Sequence, residues 1–116
     1  MRLLNIFAAL SGAIALIMLV LAAHALQLEP HDAERVRMGA YLQLFAGAAG
    51  LALANRVGRL NLIAGLMILG GAACFATALY VLAIAHTPAI IMLAPVGGVA
   101  MIGGWFLLAF AKPAAG

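Results

Sequence analysis

The sequence predicts an all-α membrane protein, an antiparallel bundle of four transmembrane helices with both termini on the cytoplasmic side. Three observations support this prediction: the composition, four long apolar runs, and the placement of the basic residues. Of 116 residues, 68% are hydrophobic and 8% are charged, whereas soluble domains are about 45–50% apolar and about a quarter charged. So few polar residues cannot cover the surface, and the apolar exterior must therefore face lipid.

The four apolar runs predict helices at 3–26, 36–54, 62–85 and 88–111, all within a single domain, 1–116. A helix needs about 20 residues to cross a hydrocarbon core of about 30 Å, so three runs span it comfortably. The second run is short. It can be extended through residues 29–32, because Pro30 suits a first helical turn and nearby acids suit the positive helix end.

The first run also resembles a secretory signal peptide. Arg2 supplies a basic start, and Ala23 and Ala25 flank His24 as small residues would flank a cleavage site. The apolar core is, however, longer than the roughly 7–15 residues of a signal-peptide core. We therefore expect an uncleaved first helix.

The basic residues predict the orientation. Lys and Arg are more frequent in cytoplasmic segments of membrane proteins. With both termini inside, only Arg35 and Arg37 lie outside, and the cytoplasmic residues are Arg2, Arg56, Arg59 and Lys112. The inverted topology would exchange four for two, so the N-in/C-in arrangement is preferred.

Small residues spaced four apart predict close helix packing. Such pairs let backbones approach in lipid, and they occur at 46 and 50, at 94 and 98, and at 100 and 104. Because alanine and glycine are frequent throughout this chain, packing within the bundle is a better interpretation than a dedicated dimer face.

The fourth run contains more helix-breaking residues than a simple span requires. Thr87 and Pro88 predict its start, and Pro95 inside the helix removes a backbone hydrogen bond and predicts a kink. The residues expected to pack around that kink are Pro95, Gly97, Gly98, Gly104 and Trp105. Trp105 is expected to pack or to anchor at the membrane interface. A bend that lines a small cavity is the alternative.

Three segments in this order carry a family resemblance. They are Leu-Ala-Ala-His-Ala-Leu at 21–26, Phe-Ala-Thr-Ala-Leu-Tyr at 75–80, and Ala-Pro-Val-Gly-Gly at 94–98 followed by Gly104 and Trp105. With them the chain resembles, over nearly its whole length, the YgdD-like domain of unknown function family 423, which is related to the transmembrane protein 256 family. The resemblance implies a small four-helix protein of the bacterial inner membrane with no established activity.

The second helix departs from the family pattern. The family usually has Tyr-Gln-x-x-His there, whereas this chain has Leu42 and Gln43 followed three residues later by Ala46. The glutamine is kept and the histidine is absent. Chemistry that needs a second buried histidine is therefore in doubt here.

Four polar residues are expected to form an intramembrane cluster near the outer side: His24, Gln43, Thr77 and Tyr80. Buried polar groups in lipid need partners, so at least two of His24, Gln43 and Tyr80 should approach one another. An interhelical clasp is the preferred interpretation. A small-ligand or proton site that opens outward is the alternative.

Other classes of site have little support in the sequence. The basic residues form no patch for nucleic acid, and the three histidines have no metal-binding spacing. Cys74 is a lone cysteine, and Ser11 has no base at its depth. No acid is expected inside a helix, which also weakens ion-coupled transport. We expect no enzyme activity, no metal and no cofactor.

Two functions from different classes remain. The first is an accessory or scaffold subunit that associates laterally with a larger membrane complex or with further copies of itself, surrounded by the lipid bilayer. The second is a minimal transporter or channel component. A polar groove that reaches the midplane would favour the transporter, and a solid core would favour association.

Overall fold

The computed structural model describes residues 2–25, 27–86 and 92–111, and all regular structure in these residues is helical. Helix α1 spans Arg2–Val20 and continues into one π-helical turn at Leu21–Ala25. The other helices are α2 at Pro30–Ala54, α3 at Arg59–Ala85 and α4 at Leu93–Phe110. All four helices are long and apolar enough to cross a membrane, so the chain has the make-up of a multi-pass membrane protein.

Helix α2 begins six residues before the range 36–54 that the apolar run predicts. Pro30 is its first residue, and the backbone N–H of Ala33 donates to the carbonyl of Glu29 at 2.9 Å. Proline suits this position because a first-turn residue has no helical acceptor for an N–H. Asp32 and Glu34 are consequently helical, and the expectation that no helix contains an acid is wrong.

The connection between α2 and α3 is short and depends on a glycine. Gly58 has a φ of 112°, a backbone conformation that side chains disfavour, and α3 begins at the next residue. The buried Asn61 side chain donates to the carbonyl of Val57 at 3.0 Å, which holds the connection against the first turn of α3.

Helix α4 differs from its prediction around Pro95. Among the described residues it begins at Leu93, so Pro95 is its third residue. The first four N–H groups of a helix have no helical acceptor, and the proline therefore removes no bond. The predicted kink at Pro95 is wrong for this reason. The predicted start at Thr87 and Pro88 lies outside the described residues.

The helices pack in a row. Helix α2 packs against α1 and α3, and α3 packs against α2 and α4. A smaller contact joins α1 to α3, where Leu4 lies against Gly65 and Leu53. Within the described residues α1 and α4 share no substantial contact. The four helices therefore do not close into a ring, and α4 leaves most of its surface exposed.

Glycines allow the closest approaches between neighbouring helices. A Cβ added at Gly47 would lie 2.9 Å from the carbonyl oxygen of Ala8 on α1, and one at Gly71 would lie 2.9 Å from the backbone nitrogen of Met101 on α4. Real Cβ atoms are essentially never this close to a backbone atom. Both helix pairs therefore depend on the absence of a side chain at these positions.

Candidate functional site

A polar contact lies inside the seam between α2 and α3. The Tyr80 hydroxyl donates to Oε1 of Gln43 at 2.8 Å, and Gln43 is only 6% exposed. Next to it, Gly39 packs against Ala76 so closely that an added Cβ would lie 3.2 Å from the Ala76 Cα and 3.2 Å from the Tyr80 ring. Close packing of Gly39 against Ala76 and the Tyr80 ring therefore leaves no open space on that side of the hydrogen bond.

The predicted cluster is only half assembled. Gln43 and Tyr80 meet as expected for two of the three main candidates. His24 lies in the π-helical turn with an exposed side chain, and Thr77 is also exposed on α3. The described contacts do not bring either residue to the Gln43 and Tyr80 pair. On α3, the seam position one turn before Tyr80 is taken by Ala76, which packs against Gly39, and Thr77 is exposed beside it.

A second polar group lies at the end of the same seam, around Asp32 in the first turn of α2. Asp32 is 2% exposed, and Arg35 Nη1 donates to its Oδ1 at 2.9 Å. His86 Nε2, at the end of α3, lies 3.1 Å from Oδ2, and His31 Nε2 lies 3.5 Å from Oδ1. We call these four residues the Asp32 cluster.

The geometry of the Asp32 cluster suits charge neutralisation. A buried carboxylate needs hydrogen-bond donors or cations in place of water. Here Arg35 supplies a charged donor, the positive end of α2 is adjacent, and His86 supplies a partner from the other helix. The His86 contact therefore ties α2 to α3 where the two helices leave the packed core.

His86 holds its position through an unusual backbone conformation. Its φ is 54°, in the left-handed region, and its N–H donates to the carbonyl of Leu82 at 3.1 Å. Glycine usually occupies this place at the end of a helix. A histidine there directs an imidazole back toward α2, at the cost of some backbone strain.

The sequence analysis did not predict the Asp32 cluster. From Pro30 and the nearby acids it extended the second helix through residues 29–32, but it assigned Asp32 no partner. That His86 returns to Asp32 has no local signal. In the described residues no group of three or more His, Cys, Asp or Glu side chains has an arrangement that could hold a metal ion.

The predicted packing residues of α4 divide into two groups. Gly97 and Gly104 are buried against α3, where a Cβ at Gly97 would lie 2.7 Å from the Phe75 nitrogen and one at Gly104 3.0 Å from the Ala64 oxygen. Gly98 is different, since a Cβ there would meet only the Phe75 ring, at 4.0 Å. Gly98 is therefore not a close-contact position.

An apolar groove of about 520 Å³ lies between α2 and α4. We call it the α2–α4 groove. It is lined by Leu42, Phe45, Ala46, Ala48, Ala49, Ile68, Met101 and Trp105. Ile68 of α3 is fully buried, whereas Phe45 is 63% and Trp105 is 52% exposed at the rim. The groove exists because α4 packs on α3 without reaching α2.

Comparison with known families places the chain in a family. The model of the family described as "Protein of unknown function (DUF423)" matches residues 11–98. The match includes the first two motifs and the Ala94 to Gly98 part of the third, and it ends before Gly104 and Trp105. Comparisons with curated proteins and with solved structures give no significant match. Because the matched region covers well over half of the sequence, the chain belongs to the DUF423 family of proteins of unknown function.

Proposed function

We propose that this protein is an accessory or scaffold subunit of the bacterial inner membrane that works by lateral association with a larger membrane complex, without turning over a substrate. The observation that carries the proposal is the α2–α4 groove. It is apolar, it lies on the side of a packed seam, and the described helices leave it uncovered.

A membrane helix is a suitable occupant for this groove. Helix association in lipid depends on van der Waals contact at small residues, and Ala46, Ala48 and Ala49 form one wall. Phe45 and Trp105 stand at the rim and offer large apolar contact area. A partner helix seated there would contact α2, α3 and α4 together.

The proposed arrangement is an antiparallel row with both termini in the cytoplasm. It is supported by contacts in which early α1 meets late α2, as at Ala8 and Gly50, and early α4 meets later α3, as at Gly97 and Phe75. Arg2, Arg56 and Arg59 then share one membrane edge, as the positive-inside rule prefers.

The orientation can be tested by cysteine labelling in a Cys74→Ala background. In intact cells, an impermeant thiol reagent should label His31→Cys and should not label Arg59→Cys. Labelling of Arg59→Cys together with protection of His31→Cys would show that the topology is inverted.

The alternative is a minimal transporter, and the buried Asp32 gives it some support because intramembrane carboxylates often serve ion pathways. Two observations favour association instead. Arg35 and His86 already occupy the Asp32 oxygens, and Gly39 packs tightly on Ala76 beside the Tyr80 and Gln43 pair. In addition, the lining of the α2–α4 groove includes none of these polar residues.

Site-specific photocrosslinking tests the proposed association. A photoreactive phenylalanine analogue at Phe45, at the rim of the groove, should yield a discrete crosslinked membrane protein. The same analogue at Leu16, which is 53% exposed on α1, serves as the matched control and should not. Equal products at both positions would contradict the proposal. So would solute flux into liposomes that contain only the purified protein, if Gln43→Leu abolished that flux.

A further inference from the structure

A second apolar groove, of about 630 Å³, lies between α1 and α3 at the end of the molecule where α1 begins. Its lining, which we call the Arg2 groove, consists of Arg2, Leu3, Leu4, Phe7, Leu62 and Leu66. Only Arg2 among these residues is polar. A single guanidinium therefore borders a slot that is otherwise made of leucine and phenylalanine side chains.

The groove follows from the row-like packing. Helix α1 packs on α2 and makes only a small contact with α3, where Leu4 lies against Gly65. The Leu4 side chain comes so near that a Cβ at Gly65 would lie 2.9 Å from it. Leu3 and Leu66 are 83% and 48% exposed beside this contact, so the slot is open to lipid.

The positive charge of Arg2 has no acidic partner among this protein's described side chains. The three acids of the chain are Glu29, Asp32 and Glu34, at the start of α2. Arg2 lies at the opposite edge of the bundle from these acids, because α1 begins where α2 ends. Leu4 and Leu53, which both lie beside Gly65, show this. Arg59 precedes Leu62 by three residues, so it lies one turn nearer that edge on the same side of α3.

We propose that the Arg2 groove binds an anionic phospholipid, with the phosphate at Arg2 and an acyl chain along Leu62 and Leu66. Arginine binds phosphate through paired N–H donors, and a charged donor gains most where water is scarce. Basic side chains at the mouths of grooves between membrane helices are a recurrent recognition pattern for acidic lipid head groups. The apolar walls supply a surface for the chain of the same lipid molecule.

Native mass spectrometry of the protein released from mixed phospholipid nanodiscs tests this site. With phosphatidylglycerol and phosphatidylcholine of identical acyl chains, the wild type should retain phosphatidylglycerol preferentially. Arg2→Gln should lower that preference by about fivefold, because a basic side chain near an anionic surface contributes about 1 kcal/mol.

The matched charge control is Arg37→Gln. Arg37 is also exposed and borders an apolar groove, but Glu34 lines that groove as well. Both variants remove one positive charge from an edge of the protein. Arg37→Gln should leave the preference unchanged, and an equal loss in the two variants would overturn the proposal because it would indicate general charge attraction.

A second pair of variants tests the acyl-chain part without changing charge. Leu66→Trp fills the groove and should reduce the number of retained lipids, whereas Ile63→Trp, at a residue that is 38% exposed and outside the groove lining, should not. Unchanged retention in both Arg2→Gln and Leu66→Trp would overturn the site. Retention lost for phosphatidylcholine as much as for phosphatidylglycerol in Arg2→Gln would also overturn it.

Discussion

The α2–α3 seam and the α3–α4 contact join neighbouring helices by different means. Between α2 and α3, the Tyr80 to Gln43 hydrogen bond and the Asp32 to His86 contact are added to close packing. Between α3 and α4, the described contact depends on glycines at which the two backbones touch. Pairs of polar side chains therefore help to join α2 to α3, whereas α3 and α4 can approach because glycines have no side chains.

This difference has consequences for substitution. A hydrogen bond between membrane helices contributes about 0.6–2 kcal/mol, and its loss leaves the helices free to remain packed. A side chain inserted between two touching backbones forces the helices apart. We therefore expect the α3–α4 contact to be more sensitive to substitution than the α2–α3 seam, although the polar contacts described above lie in the seam.

The largest effect is expected for Gly97→Leu. The new side chain would occupy the space of the Gly71 carbonyl and the Phe75 nitrogen, so α4 should detach from α3 and the midpoint of thermal unfolding in detergent should fall markedly. Gly98→Leu is the matched control, because it adds the same side chain one residue away, where there is room. Equal stability of the two variants would contradict the backbone contact.

The next effect is expected for Tyr80→Phe, which removes one hydroxyl from the α2–α3 seam. The free energy of unfolding should fall by about 0.6–2 kcal/mol, since Gln43 loses its donor in a buried position. Tyr41→Phe, at a tyrosine that is 49% exposed, should have little effect.

A double-mutant cycle with Gln43→Leu sharpens this measurement. If the two side chains act through their mutual bond, the effects of Tyr80→Phe and Gln43→Leu should not add. Additive losses would show that each residue contributes through packing alone.

A more local effect is expected for Asp32→Asn. The substitution keeps the size and removes the charge that Arg35 and His86 contact, so the start of α2 and the end of α3 should exchange amide hydrogens faster. Hydrogen exchange in nanodiscs can measure this without global unfolding. Glu34→Gln, at an exposed acid on the next turn, is the control, and equal protection in both variants would show that the Asp32 cluster does not tie the helices.

The smallest effect on stability is expected for Trp105→Ala. The indole is 52% exposed at the rim of the α2–α4 groove, so the free energy of unfolding should change by about 0.5 kcal/mol or less. Crosslinking from Phe45 to a partner should nevertheless decrease. Ile68→Ala, at the buried floor of the same groove, should cost about 2–5 kcal/mol. A large loss of stability for Trp105→Ala would assign Trp105 to the core instead.

The sequence allowed more of the fold to be predicted than of the candidate site. The second and third motifs correctly brought attention to Tyr80 and Gly97, and Gln43 was identified because an amide in an apolar helix needs a partner. His24 and Thr77 were selected by depth alone. Depth gives the level of a residue in the membrane but not the direction of its side chain around the helix, and both side chains are exposed.

The Asp32 cluster is a site that the sequence did not predict. Asp32 and His86 stand 54 positions apart in the chain, and the charged segment around Asp32 resembles an ordinary polar loop. Asp32 is buried where the start of α2 meets the end of α3. Loss of water then makes Arg35 and His86 necessary partners.

By itself, the sequence determined that this chain has four helices suited to a membrane, because hydrocarbon favours long apolar segments with internally satisfied backbones. It also identified the family, through motifs that the match over 11–98 bears out in part. Only the tertiary structure decided that the helices form an open row, that Gly97 and not Gly98 meets α3, and that Asp32 is buried. Apolar character sets which segments lie in lipid, whereas the rotation of each helix, set by backbone contacts, decides which side chains face one another.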